Sequence, residues 1–512
     1  MRAILKTLLF LLTVVLLSQC EKDDPQVTIP DNNFLNALIE LGVDTNGDGI
    51  ISPAEAEAIT ELNVYGANIS NLTGIEMFVN LVFLSCSSNK LTTLDVSNCT
   101  ALSHLHCSGN QLTTLDVSNC TSLLYLSCGD NQLTSLVFSN NTSLKHFYCC
   151  SNKLTTLDVS NCTALEELYC SNNQLTTLDV SNKTSLKNLH CRGNQLTTLD
   201  ASNCTALEWL DGCDNQLTTL DVSNCTALVE LHCDDNQLTT LDVSTNTALV
   251  TLYCRSSQLT TLDVSNCTAL IVLNCSYNQL TSLDVSNNSA LEHFVCPFNQ
   301  LTTLDVSNCT ALSYLHCSDN QLTTLDVSNC TALIVLNCSY NQLTSLNVSN
   351  NSVLDYFVCQ SNQLTSLDVS NCTALIVLNC YINQLTILDV SNCTALVELR
   401  CSDNQLTILD VSNNTALKRL FCDNNQLTTL DVSNNIALLK LFCKNNQLTS
   451  LDISNNTAIG TGDDWDFTID LDISQMPNLY KVCVWTMPFP PAGVSVDTTG
   501  SSNVYFTTDC SK

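Results

Sequence analysis

Positive charge is scarce in this sequence. Seventeen Lys and Arg stand against 49 Asp and Glu in 512 residues, a formal charge of −32. Counterion-release binding to nucleic acid needs a basic face, as does adsorption to an anionic membrane surface, and composition excludes both. A long apolar run is also lacking. The candidate, Leu8 to Leu17, is too short to span a bilayer. No nucleophile–base motif with sequence context and no His-Glu-x-x-His helix occurs, so no catalytic residue is assigned and no enzyme is expected. Recognition and passive structure are the function classes left.

What is present is one 21-residue unit, L-T-T-L-D-V-S-N-C-T-A-L-x-x-L-x-C-x-x-N-Q, repeated from about Leu81 to Thr457. A fixed period of this length marks a leucine-rich-repeat solenoid, whose units cannot bury their apolar residues alone and must stack. The fold expected is mainly β, a solenoid with a concave parallel sheet of about nineteen strands. A small EF-hand-like helical cap comes first and a β-rich cap last. The boundaries read 1–19 signal peptide, 20–30 acidic linker, 31–58 helical cap, 59–458 about nineteen repeats, and 459–512 C-terminal cap. The Asp of L-D-V-S, from Asp95 to Asp452, reads as a turn residue whose carboxylate accepts backbone N–H bonds.

The chain has 32 cysteines, and their spacing argues against a disulfide scaffold. Seventeen share one register: Cys86 to Cys191 and Cys233 to Cys443, every 21 residues. That slot points into the core, where a thiol acts as a small hydrophobe. Strands stack ~4.8 Å apart with parallel side chains, whereas a disulfide needs Cβ atoms ~3.8 Å apart and turned together. The expectation is a ladder of dry thiols, locally irregular at Gly212 and Cys213. A second column, beginning Cys99 and Cys120 with Asn141 in the same slot, reads as turn-lining. Cys483 and Cys510 leave the register and are the candidate disulfide.

Before the repeats lies Asp44-Thr45-Asn46-Gly47-Asp48-Gly49-Ile50-Ile51-Ser52-Pro53-Ala54-Glu55. It has the spacing of an EF-hand loop between two helical segments. The expected ligands of one structural calcium ion are Asp44, Asn46, Asp48, the Ile50 carbonyl, Ser52 and Glu55. The leader Arg2, Lys6, Leu8–Leu17, then Leu17-Ser18-Gln19-Cys20, resembles a lipoprotein signal with Cys20 as the lipidated residue. The Glu21-Lys22-Asp23-Asp24 that follows resembles a Gram-negative surface-lipoprotein signal. The expected place is the outer membrane, lipid-anchored, facing outward. Membrane contact would come through the anchor alone.

In each strand x-L-x-C-x the residues flanking Leu point outward. Those two columns hold all seven histidines of the chain. His104, His106, Tyr125, His146, Tyr148, Tyr169, His190, Trp209, His232 and Tyr253 read as a ligand-binding stripe, with Trp209 foremost. Beyond Val272 the columns turn aliphatic, and Arg400, Arg419 and Lys440 make the far end read as basic.

The 21-residue unit with Cys in place of the third Leu is similar to the cysteine-ladder repeats of internalin J-type adhesins, over residues ~59–458. The resemblance implies the fold and a surface recognition role. It does not bring a wall-anchored role, because the ends differ. The function read is a monomeric cell-surface lipoprotein binding a protein or glycan. The alternative is a passive coat or spacer, which the near-identical blocks Ile271–Gln279 and Ile334–Gln342 favour locally.

Overall fold

The structure, a computed structural model, describes residues 27–462 and 468–511. The leader, Cys20 and residues 21–26 lie outside them. Two compact units are present, Met1–Leu196 and Thr197–Lys512.

The first unit opens with helices Asn32–Glu40 and Pro53–Glu57. Asp31 caps the first and also ties it to the repeats. Its Oδ1 accepts from the Asn33 and Phe34 amides, and its Oδ2 from the Ser70 amide and hydroxyl and the Asn71 amide. Phe34 and Leu38 are buried, whereas Leu41 lies past the helix end and is exposed. Ser52 and Glu55 form a capping box on the second helix. Seven three-residue strands follow, from Glu61–Asn63 to Asn188–His190, paired in parallel with Leu or Phe at each centre.

The second unit continues the pattern with fourteen parallel strands, from Trp209–Asp211 to Val496–Asp497. Gly212 does not disturb its rung. Its amide donates to the His232 carbonyl at 2.8 Å, as the Cys128 amide does to Tyr148, so the expected irregularity is absent. Residues 459–511 also differ from a separate cap. Leu471 pairs with Leu441 and Val496 with Leu471, two further turns of longer period. Beside them Ser450–Asp452, Lys481–Cys483 and Tyr505–Thr507 form a three-stranded sheet. A disulfide joins Cys483 to Cys510, Cα atoms 5.6 Å apart.

Three bonding columns recur in both units, and two of them hold successive coils together. The Asn of C-x-x-N is one. Asn110 Nδ2 donates to the Cys86 and Cys107 carbonyls, both at 3.0 Å, while its Oδ1 accepts from the Leu91 amide at 3.0 Å. The repeated Asp is the second. Asp116 Oδ1 accepts from the Ser118 amide at 2.9 Å, which is the turn role its type suggests. The Cys-or-Asn slot is the third. Cys120 Sγ donates to the Val96 carbonyl at 3.6 Å, and Asn141 Nδ2 to that of Val117 at 3.3 Å. Both side chains supply a buried donor to a carbonyl one coil back, which is why the slot accepts either. Inside, the repeated Leu, Cys and Val are almost fully buried in nearly all coils, with Leu136 half-buried and Ala201 in one Val slot as exceptions. The ladder thiols from Cys86 to Cys170 and from Cys233 to Cys443 carry no disulfide.

Candidate functional site

Alternation places the predicted stripe on the outer face of the sheet. Each strand buries its central Leu or Phe and leaves its flanking residues half-exposed. In the first unit this gives an unbroken run of ring contacts. Phe83 lies 5.3 Å from His106, which stacks on Tyr125 at 4.5 Å. Tyr125 meets Tyr148 at 5.2 Å, Tyr148 meets Tyr169 at 4.9 Å, and Tyr169 stacks on His190 at 4.2 Å and 17°. His104 and His146 flank Tyr125 on the outer column, each ring 6.0 Å away.

One carboxylate sits among these rings. Glu167 accepts the Tyr148 hydroxyl, and its Oε2 lies 3.3 Å from His146 Nδ1. Burial, then this hydrogen bond, pushes the Tyr148 phenol well above its usual range. Burial, then the His104 charge, lowers His106, so that it is neutral near pH 7. The face is thus rich in aromatic and imidazole rings, with one carboxylate among them. Sequence reasoning named neither Phe83 nor Glu167 as a site residue. The signal was there, since both stand in the column of His104 and His146.

In the second unit, Trp209, His232 and Tyr253 touch in turn, at 5.9 and 4.8 Å. His232 Nε2 is 3.5 Å from Glu230 and hydrogen-bonded to no neighbour. The far end is not the basic surface that composition suggested. Arg400 and Arg419 pair with Glu398. Lys440 is buried, 2.8 Å from Asp470.

The comparisons with known proteins address the repeat that builds this face. A family model described as Leucine Rich repeats (2 copies) matches residues 142–183, and an LVIVD repeat model matches 379–400 and 401–420. No curated protein matches. Among solved structures, the functional domain of InlJ from Listeria monocytogenes, which includes a cysteine ladder, is 30% identical, with 89% of this chain and 80% of that chain covered and a TM-score of 0.44. YopM from Yersinia enterocolitica is 23% identical over 96% and 98%, with a TM-score of 0.65. The plant peptide hormone receptor RGFR1, in complex with RGF2, is 19% identical over 85% and 80%, with a TM-score of 0.68. The chain belongs to the leucine-rich-repeat family.

Ahead of the leucine-rich repeats, the loop between the helices gathers several side-chain oxygens. Gly47 and Gly49 take positive φ, 74° and 79°. Asp44 accepts from the Gly47, Asp48 and Gly49 amides, Asn46 from Asp48, and Asp48 from Ile50. Oxygen donors at these positions suit calcium in type. Glu55 does not close on them. Its Oε1 accepts from Thr45 and Asn46, and its Oε2 from the Ser52 amide and hydroxyl. Among the described residues, the group of three His, Cys, Asp or Glu donors within 4.8 Å of one another is Asp452, Cys483 and Cys510, two of them spent in the disulfide. No helix of the described residues is long and apolar enough to cross a membrane.

Proposed function

We propose that this leucine-rich-repeat protein binds a protein or glycan ligand through the outer face of its sheet, as a surface lipoprotein anchored at Cys20 in an outer membrane. The observation that carries the reading is the run of ring contacts from Phe83 to His190. Aromatic faces offer large contact area at low conformational cost, to apolar side chains and sugar rings alike. The receptor RGFR1, similar in fold, is seen with a peptide hormone. The test is an array of proteins and glycans probed with the soluble chain and with its Tyr125→Ala, Tyr169→Ala and Trp209→Ala variants. Binding that the sheet-face variants weaken supports the reading. Binding that only changes away from the sheet abolish would reject the sheet face as the site, and no binding at all favours the spacer alternative.

We further propose one structural calcium ion, held by Asp44, Asn46, Asp48, the Ile50 carbonyl, Ser52 and Glu55. Glu55 would exchange its amide bonds for the ion, which would lock the two helices. Calorimetric titration with calcium, repeated on Glu55→Gln, is the check. Equal heats from both proteins would reject the assignment.

A further inference from the structure

The turn after each strand places one residue in the left-handed region, and its identity changes sharply along the chain. From Ser88 to Ser256 that residue is Ser, Gly, Asp or Asn, the types that tolerate positive φ. The next six are Tyr277, Phe298, Asp319, Tyr340, Ser361 and Ile382, with φ between 51° and 55°. Large aromatic and β-branched side chains are strained there, and strain of this kind gathers where structure serves function. The conformation is locked by backbone bonds between turns. The Tyr277 amide donates to the Pro297 carbonyl, Phe298 to Ser318, Tyr340 to Gln360 and Ile382 to Ser402.

The strain brings no burial in return. Tyr277 is 51% exposed, Phe298 42%, Tyr340 46% and Ile382 46%. Tyr277 and Phe298 stack on each other at 4.3 Å and 15°. Tyr277 and Tyr340 stand in the near-identical blocks, so copying could account for that pair. It does not account for Phe298 or Ile382. The charge of this stretch of chain is one-sided, although most of its acids stand in the L-D-V-S turns and not on the rim itself. Residues 256–399 contain ten Asp and Glu and not one Lys or Arg, and Asp319 stands in the same column.

We propose that the rim from Tyr277 to Ile382 is a second docking surface, for a cationic protein segment that presents apolar side chains. Exposed apolar anchors give contact, and a field of one sign selects the partner's charge and speeds encounter. This surface lies along the turns of the second unit and does not depend on the sheet-face reading.

The test uses the full chain and two synthetic helical peptides, one of alternating Lys and Leu faces and one with Gln for Lys. The variant is Tyr277→Asn, Phe298→Asn, Tyr340→Asn and Ile382→Asn together, which keeps the net charge and gives each turn a residue that accepts positive φ. Expected are binding of the Lys peptide, at least ~10-fold weaker binding by the variant, and a melting temperature equal to or above that of the parent. Tyr169→Ala, on the sheet face, should leave this binding unchanged. Equal affinity of parent and variant, or of Lys and Gln peptides, overturns the proposal. A lower melting temperature in the variant also overturns it, because it would show that the four side chains serve packing. So would self-association of the parent, lost in the variant, which would make the partner a second copy.

Discussion

At the residue scale, burial sets the chemistry of the core thiols. Cys86 is pushed up to about 12 by burial, and its column neighbours rise for the same reason. A thiol that does not ionise neither alkylates nor exchanges readily. Maleimide treatment of the native protein at pH 7.5 should therefore label Cys150, which is half-exposed, and leave the ladder unmodified until denaturant is added. Peptide mapping would read this directly, and broad native labelling of the ladder would refute it. Asp423 is the opposite kind of residue. Burial raises its carboxyl from 3.8 to about 6, against the opposing Ser402 hydrogen bond. The folded state then holds a proton that the unfolded state has released. The stabilisation is complete below about pH 4 and is lost as pH rises through about 6. At ~1.36 kcal/mol per pKa unit the loss is about 3 kcal/mol. The protection of amides across residues 419–444, taken relative to the intrinsic exchange rate at each pH, should fall between pH 4 and 7 in the parent and stay level in Asp423→Asn.

At the element scale, one coil is the unit of bonding. The ladder Asn ties its coil to the one before it, so Asn320→Ala would strand the Leu301 amide, while the Cys296 and Cys317 carbonyls would keep Asn299 and Asn341 as donors. The cost should be about 1–3 kcal/mol, seen as faster exchange in those two coils, whereas an exposed Thr→Ala should change little. The helical cap depends on Glu55. The Ser52 amide first, then the Thr45 hydroxyl, lowers its carboxyl from 4.5 to about 2. Stability from this group is present above about pH 4.5 and is lost as pH falls toward 2. The cap should loosen first on acidification without calcium, and Glu55→Gln should remove that step in a proteolysis profile. The coil itself was legible in the sequence, because period two within the strand and 21 along the chain both show as residue types. The Cys-or-Asn slot was not fully legible. The two side chains look unrelated until both are seen donating to a carbonyl one coil back. Of the last two turns, the one at Leu471 keeps the Leu-Asp-Ile-Ser signature and reads as an imperfect unit, while the one at Val496 was missed because it lies twenty-five residues on. Glu55 could not be oriented from sequence, since amides and a cation satisfy a carboxylate equally well. The basic end was misjudged because the acids that neutralise it were not weighed with it: Glu398 stands two residues before Arg400 on its own strand and one strand from Arg419, and Asp470 comes from the stretched turn.

At the scale of the whole molecule, the charge of −32 opposes compactness, and salt screens that repulsion. The melting temperature should rise as sodium chloride is raised from about 10 to 150 mM, where the Debye length falls from ~30 to ~8 Å. A flat or falling response would mean that paired charges outweigh the field. Stability in a stacked chain is a sum over coils and the junctions between them, so the unfolding should broaden beyond a single two-state step.

Those junctions have a genetic corollary. Each coil grips the one before it through the same Asn, the same Cys-or-Asn donor and the same register of Leu. A stretch of 63 nucleotides copied or dropped in frame would thus remake the junctions it broke, bond for bond. The gene could lengthen or shorten by unequal recombination while the core remained intact. Only the outward residues would record the event, so a change in reach and a change in binding face would arrive together in one step.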